Sequence, residues 1–103
     1  MRIEKQRRLR KAGWTVGDAT QFLALSKEEA ALVEIRAVLA AGLSQMRRAA
    51  GLTQVEVARR IGSSQSRVAK MEAGDPSVSL DLLVKSLAAT GAGRRQIGRL
   101  VAS

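Results

Sequence analysis

From Gly51 to Gly91, Thr53, Ser63 and Ser79 each precede an apolar-periodic run, and the runs are closed by Gly62, Gly74 and Gly91 in turn. Hydroxyls start helices and glycines end them, so this stretch can fold only into short helices. Thr53 with Glu56 three residues on is a capping box, opening a helix that carries Val55, Val57, Ala58 and Ile61 and stops at Gly62. Ser63 caps the next, through Val68, Ala69 and Met71 to Gly74. Asp75-Pro76 reads as a turn, because proline biases the residue before it away from helical geometry. Ser79 caps Leu80 through Thr90, whose Leu82, Leu83, Leu87 and Ala88 form an apolar face closed by Gly91. A last helix, about Arg94 to Ala102, presents Ile97, Leu100 and Val101. Val and Ile nowhere alternate with polar residues over a useful stretch, so the fold class is all-α, a small helical bundle.

Upstream, Ser26 with Glu29 repeats the capping signal, and Leu32, Val33, Ile35, Val38, Leu39, Leu43 and Met46 follow at helical spacing up to Gly51. This predicts a long amphipathic helix. Gly42 inside it weakens it by about 1 kcal/mol relative to Ala, which marks the place for a bend or break. Thr15 with Asp18, ahead of Phe22, Leu23 and Leu25, reads as an earlier helix start near Trp14. Residues 1–11 hold only Met1, Ile3 and Leu9 as apolar groups among six cations and cannot bury enough surface to offset their ordering entropy. The expected organisation is a basic, flexible arm at 1–13, an N-terminal helical segment at 14–37, and a compact domain at 38–103.

A chain of 103 residues with 46% apolar content suits one domain with one core. It has neither Cys nor His, which excludes disulfides, Cys/His zinc sites, Ser/His triads and imidazole bases. The carboxylates stand singly on helices, so neither a paired-acid site nor a metal site is predicted, and no cofactor is expected. No apolar run approaches the ~18 to 20 residues of a membrane span, and the expected location is the cytoplasm. Lys and Arg outnumber Asp and Glu by 18 to 9, a net charge of +9 that points to a polyanionic partner. The charge is segregated: +5 over residues 1–11, −3 over 12–35, and +7 over 36–103.

The two helices flanking Gly62 carry the functional signal. Helix, a short turn containing Gly (Ile61-Gly62-Ser63-Ser64), and second helix is the helix-turn-helix arrangement, in which the second helix enters the major groove. On that helix Gln65, Ser66 and Lys70 lie toward one side, while Val68 and Met71 face the core. Gln pairs bidentately with adenine, Lys donates to guanine and Ser adapts to either, so these three are the candidate base readers. Arg67 points differently and is expected at a phosphate, as is Gln54 at the start of the preceding helix. Trp14 and Phe22, the only aromatics, lie outside this motif, which argues against single-strand RNA modules.

The run LTQVEVARRIGSSQSRVAKMEAGDPSVSLDLLVKSLAATG, Leu52 to Gly91, resembles the DNA-binding domain of the Cro/CI repressor class, the lambda-repressor-like or Xre family. The Leu-Thr-Gln opening, Ala58, Gly62, the Ser-Gln-Ser start of the second helix and Glu72-x-Gly74 fall together at the family's spacing. The resemblance implies base-reading positions at Gln65, Ser66 and Lys70, phosphate-facing ones at Gln54, Ser64 and Arg67, and a structural ion pair between Arg47 and Glu72. It also implies a homodimer on double-stranded operator DNA.

The N-terminal third, with its Arg/Lys arm, Gly13-Trp14 and Phe22-Leu23-x-Leu25-Ser26-x-Glu28-Glu29, resembles antitoxins of the HigA kind. Such proteins bind a RelE/HigB-like toxin and repress their own operon. Trp14, Phe22, Glu28, Glu29 and Glu34 are then the candidate partner-binding residues, since the acidic stretch would suit a basic ribonuclease. The alternative is a stand-alone or phage-type Xre repressor with no toxin partner. A third reading, an enzyme or a non-specific RNA-binding protein, has no supporting constellation.

Overall fold

The computed structural model describes residues 25–103, which are helical with no strand among them. The expected helix start at Thr15, the side chains of Trp14 and Phe22, and the basic arm lie outside the described residues. Residues 34–103 form one compact unit, and the described residues 25–33 belong to another.

Helix α1 spans Lys27–Ala49. Its start is a reciprocal cap: the Glu29 amide donates to Ser26 Oγ at 3.1 Å, and the Ser26 amide donates to Glu29 Oε1 at 3.0 Å. Contrary to the expectation of a bend or break, the helix runs unbroken through Gly42, which is buried. Gly42 serves close packing instead, as Leu100 lies against it. Past Ala49 the chain turns at Gly51, with φ 71°, and the Leu52 amide returns to the Arg47 carbonyl at 3.0 Å.

Helix α2, Gln54–Ile61, begins with the predicted capping box: Thr53 Oγ1 accepts from the Glu56 amide at 3.1 Å, and Glu56 Oε1 from the Thr53 amide at 2.8 Å. Gly62, left-handed at φ 67° and ψ 39°, ends it. Helix α3, Gln65–Glu72, is capped by Ser64 and not by Ser63 as the sequence suggested. The reason lies in the turn. The Ser63 amide is bonded to the Ala58 carbonyl at 2.8 Å and still closes α2, and Ser64, extended at φ −110° and ψ 157°, is the residue whose side chain accepts from the Arg67 amide at 3.2 Å. Asp75 Oδ1 then accepts from the Ser77 amide at 2.8 Å, fixing the turn after Gly74. Ser79 caps helix α4, Leu80–Ala89, and helix α5, Arg94–Ala102, starts at Gly93 with no side-chain cap.

The core joins Leu39 and Leu43 of α1, Val57, Ala58 and Ile61 of α2, Val68 and Met71 of α3, Leu83 and Leu87 of α4, with Val78 and Ala92 from the connections. Ile97 and Leu100 of α5 pack against it from outside. Ser86 is fully buried, and its hydroxyl bonds back to the Leu82 carbonyl at 2.7 Å; among the described residues no buried side-chain nitrogen or oxygen lacks a partner. Some residues read as apolar face do not reach the core: Val55 is 49% exposed, and Val101 and Ala88 are also exposed. Val55 sits between capping residues in the first turn of an eight-residue helix, whose buried side is taken by Val57, Ala58 and Ile61. Two main-chain clamps add to the packing. Arg36 donates to the Val78 carbonyl, and Arg60 Nη1 donates to the Ala89 carbonyl at 3.0 Å. No helix among the described residues is long and apolar enough to cross a membrane.

Candidate nucleic-acid interface

Helix α3 is held from below and open above. Val68 and Met71 are fully buried, while Gln65, Ser66, Arg67 and Lys70 are exposed. Because α3 is short, two buried side chains an almost full turn apart suffice to fix its rotation. The four polar residues of α3 expected at DNA, Gln65, Ser66, Arg67 and Lys70, therefore lie on its outer side.

The residues form two linked groups. The first is a hydrogen-bonded chain across three helices. Arg47 of α1 meets Glu72 at the end of α3 through Nε to Oε2 at 2.5 Å and Nη2 to Oε1 at 3.0 Å, with side chains only 12% and 8% exposed. Arg47 Nη1 also donates to the Leu52 carbonyl at 2.9 Å. Gln54, first residue of α2, donates from Nε2 to Glu72 Oε1 at 3.1 Å and accepts at Oε1 from Gln65 Nε2 at 2.6 Å. Burial pushes the Glu72 carboxyl up, but the bond from Arg47, the bond from Gln54, the Arg47 charge and Ser44 together hold it below the usual carboxylate range. The same bond to Glu72 raises Arg47 further.

The second group is a shallow polar depression lined by Ser64, Ser66, Arg67, Lys70, Ser77 and Val78. The sequence reading separates Arg67 from Ser66 and Lys70. The structure brings all three to this one depression, since they fall within little more than one turn and two of them are long. Two cations and three hydroxyls in a solvent-facing hollow make a surface suited to phosphate oxygens. Ser64 Oγ accepts from the Arg67 amide at 3.2 Å and lies 3.3 Å from Ser66 Oγ, so the two hydroxyls share one hydrogen bond and leave one hydroxyl hydrogen between them for a ligand.

Sequence reasoning missed two features here. It treated Gln54 and Gln65 as independent contacts, whereas they are bonded to each other. Both are first residues of their helices, and only the crossing of α2 over α3 makes them neighbours. It also overlooked Ser77, whose place follows from the Asp75 turn that folds the loop back beside α3. Of the acidic candidates, Glu28, Glu29 and Glu34 are exposed, and Glu29 is engaged with Ser26.

A family model described as helix-turn-helix matches residues 43–95, just over half of the chain. The chain belongs to the Cro/CI-type (Xre) helix-turn-helix family. A helix-turn-helix protein of this type is a DNA-binding transcriptional regulator. The matched range takes in Arg47, Gln54, the whole of α3 and Glu72. It begins after Glu34, so the resemblance to HigA-type antitoxins draws no support from it. No curated protein and no solved structure matches the chain.

Proposed function

We propose that this helix-turn-helix protein is a sequence-specific repressor that binds double-stranded operator DNA as a homodimer, with residues 38–103 as the DNA-binding domain. In this reading Gln65, Ser66 and Lys70 meet base edges, and Gln54, Ser64 and Arg67 meet phosphates. The observation that carries it is the division of α3, with Val68 and Met71 sunk in the core and Gln65, Ser66, Arg67 and Lys70 facing solvent. One such helix reaches only a few base pairs, so two copies on a palindrome with half-site centres ~34 Å apart are required for useful specificity. Either α5 or α1 supplies the dimer contact.

The test is selection of binding sites from a randomised duplex pool, followed by sedimentation of the complex. A palindromic consensus bound by two copies supports the reading. Salt-sensitive binding with no consensus, or one copy on the selected site, overturns it.

A second role is favoured by one observation. At the start of α1 the exposed carboxylates Glu28, Glu29 and Glu34 accompany Leu32 and Val33, which are 44% and 45% exposed. An apolar pair among acidic residues suits a basic protein partner, and we take residues 14–37, including Trp14 and Phe22, as the segment that would bind a RelE/HigB-like toxin. Co-expression with the product of the adjacent gene decides it. Co-purification lost in the triple variant Glu28→Gln, Glu29→Gln, Glu34→Gln supports the antitoxin role, and absence of co-purification leaves a stand-alone repressor.

A further inference from the structure

The chain of bonds from Arg47 to Gln65 has a direction, and the direction comes from chemistry. An ionised carboxylate only accepts hydrogen bonds. Glu72 is kept ionised by Arg47, so Gln54 must turn its Nε2 toward Glu72 Oε1, as it does at 3.1 Å. That leaves Gln54 Oε1, another acceptor, facing Gln65. Gln65 must then answer with its own Nε2, as it does at 2.6 Å. Each amide could be rotated by half a turn with little steric change. The carboxylate at the root forbids it in both.

One N–H of Gln65 is used in this way, and what remains for a ligand is its second N–H and its carbonyl oxygen, in a fixed order. A donor beside an acceptor is the pattern complementary to the N7 and N6 edge of adenine, and reversing the order breaks the match for the same base in the same orientation. We infer that Glu72, its side chain largely buried at the far end of α3, is a positioning residue that sets the order in which the Gln65 amide presents donor and acceptor to a base pair, acting through Gln54. The inference rests on the reading of Gln65 as a base-contacting residue and adds a determinant of specificity that touches no base.

A purely structural Glu72 would influence affinity for every sequence alike. A relay changes preference at one base pair. The measurement is therefore a ratio: affinity for the selected duplex against affinity for duplexes altered at each single position, for the wild type and three variants, with thermal melts of each. Gln65→Ala identifies the base pair it faces by flattening the ratio there. Gln54→Met keeps the length of the side chain and leaves the Arg47–Glu72 pair in place, yet cannot transmit polarity. Glu72→Gln offers Gln54 either a donor or an acceptor.

Both relay variants are expected to lose about tenfold of discrimination at the Gln65 base pair, the scale of a bidentate amide contact, and to keep their preferences elsewhere. If Glu72→Gln melts below the assay temperature, Gln54→Met alone decides. Full discrimination retained by Gln54→Met, with Gln65→Ala flattened, overturns the relay while sparing the reading of Gln65. No change in preference in Gln65→Ala overturns the reading of Gln65 itself.

Discussion

Leu100 of α5 occupies the space that a side chain at position 42 of α1 would need: a Cβ on Gly42 would fall 2.6 Å from Leu100 Cδ1 and 3.3 Å from its Cγ. The only glycine within the interior of α1's described turns is thus a notch. Gly42→Ala sets a helix-propensity gain of about 1 kcal/mol against displacement of a leucine tip. The tip is flexible, so the net change in unfolding free energy is expected to be small. In a Leu100→Ala background the same substitution should stabilise by the full ~1 kcal/mol. Urea titrations of the four proteins measure the coupling, and strict additivity would mean that the two residues do not meet.

The Arg47–Glu72 pair is expected to dominate the acid sensitivity of the fold. Glu72 is held below its ordinary value of 4.5, so in linkage terms its stabilisation is present above the unfolded-state value and lost as pH falls through the folded one. Glu56 and Asp75 are lowered as well, held by the Thr53 and Ser77 amides, and act with the same sign. Melting temperature should therefore drop as pH is taken below about 4.5, and less steeply in Glu72→Gln. Arg47→Met, which strands a largely buried carboxylate at neutral pH, should cost roughly 3 to 5 kcal/mol. An equal acid slope in wild type and Glu72→Gln would assign the sensitivity to other groups.

Much of this was legible in the sequence because caps and closers are local. Thr53, Glu56, Gly62 and Ser79 act within four residues of themselves, and a chain read left to right shows them. Val68 and Met71 as the buried side of α3 follow equally from their spacing. What was hidden is what depends on one helix crossing another: the bond between Gln54 and Gln65, the seat of Leu100 on Gly42, and Ser77 beside Lys70. The displacement of the α3 cap from Ser63 to Ser64 has a subtler origin. Two adjacent serines look alike as caps in the sequence, and the role falls to the second only in the folded turn, where Ser63 still belongs to the closure of α2 and Ser64 Oγ meets the Arg67 amide.

Gly62 tests that turn directly. Its backbone is left-handed and nothing lies within 4 Å of where a Cβ would be, so a substitution there meets conformational strain and no clash. Gly62→Ala is expected to destabilise by about 1 to 2 kcal/mol, the left-handed penalty for an L residue. Gly62→Asn should cost less, since Asn tolerates this region better. Equal melting temperatures for both variants would show that the turn relaxes to another geometry.

On DNA, the polar depression and the relay should separate by salt. Arg67→Ala is expected to weaken selected and random duplexes alike, and to reduce the slope of log affinity against log salt by about one unit. Gln65→Ala should leave the slope unchanged and cost about 1 to 3 kcal/mol on the selected duplex alone. Fluorescence anisotropy across a salt series reports both quantities. A slope unchanged in Arg67→Ala would remove that side chain from the phosphate contacts.

Helix α5 differs from α2, α3 and α4 in having no side-chain cap and no buried residue of its own. It is held by tertiary contact alone, chiefly through Ile97 and Leu100 against a core that other elements complete. Such an element opens at lower free energy than the whole, so its amides will exchange with solvent through local fraying while those of α2 and α3 wait for global unfolding. The surface proposed to read DNA is therefore insulated from the helix most easily lost. Whatever binds α5, a second copy included, would register first as slowed amide exchange in residues 94–102, before any change at Gln65.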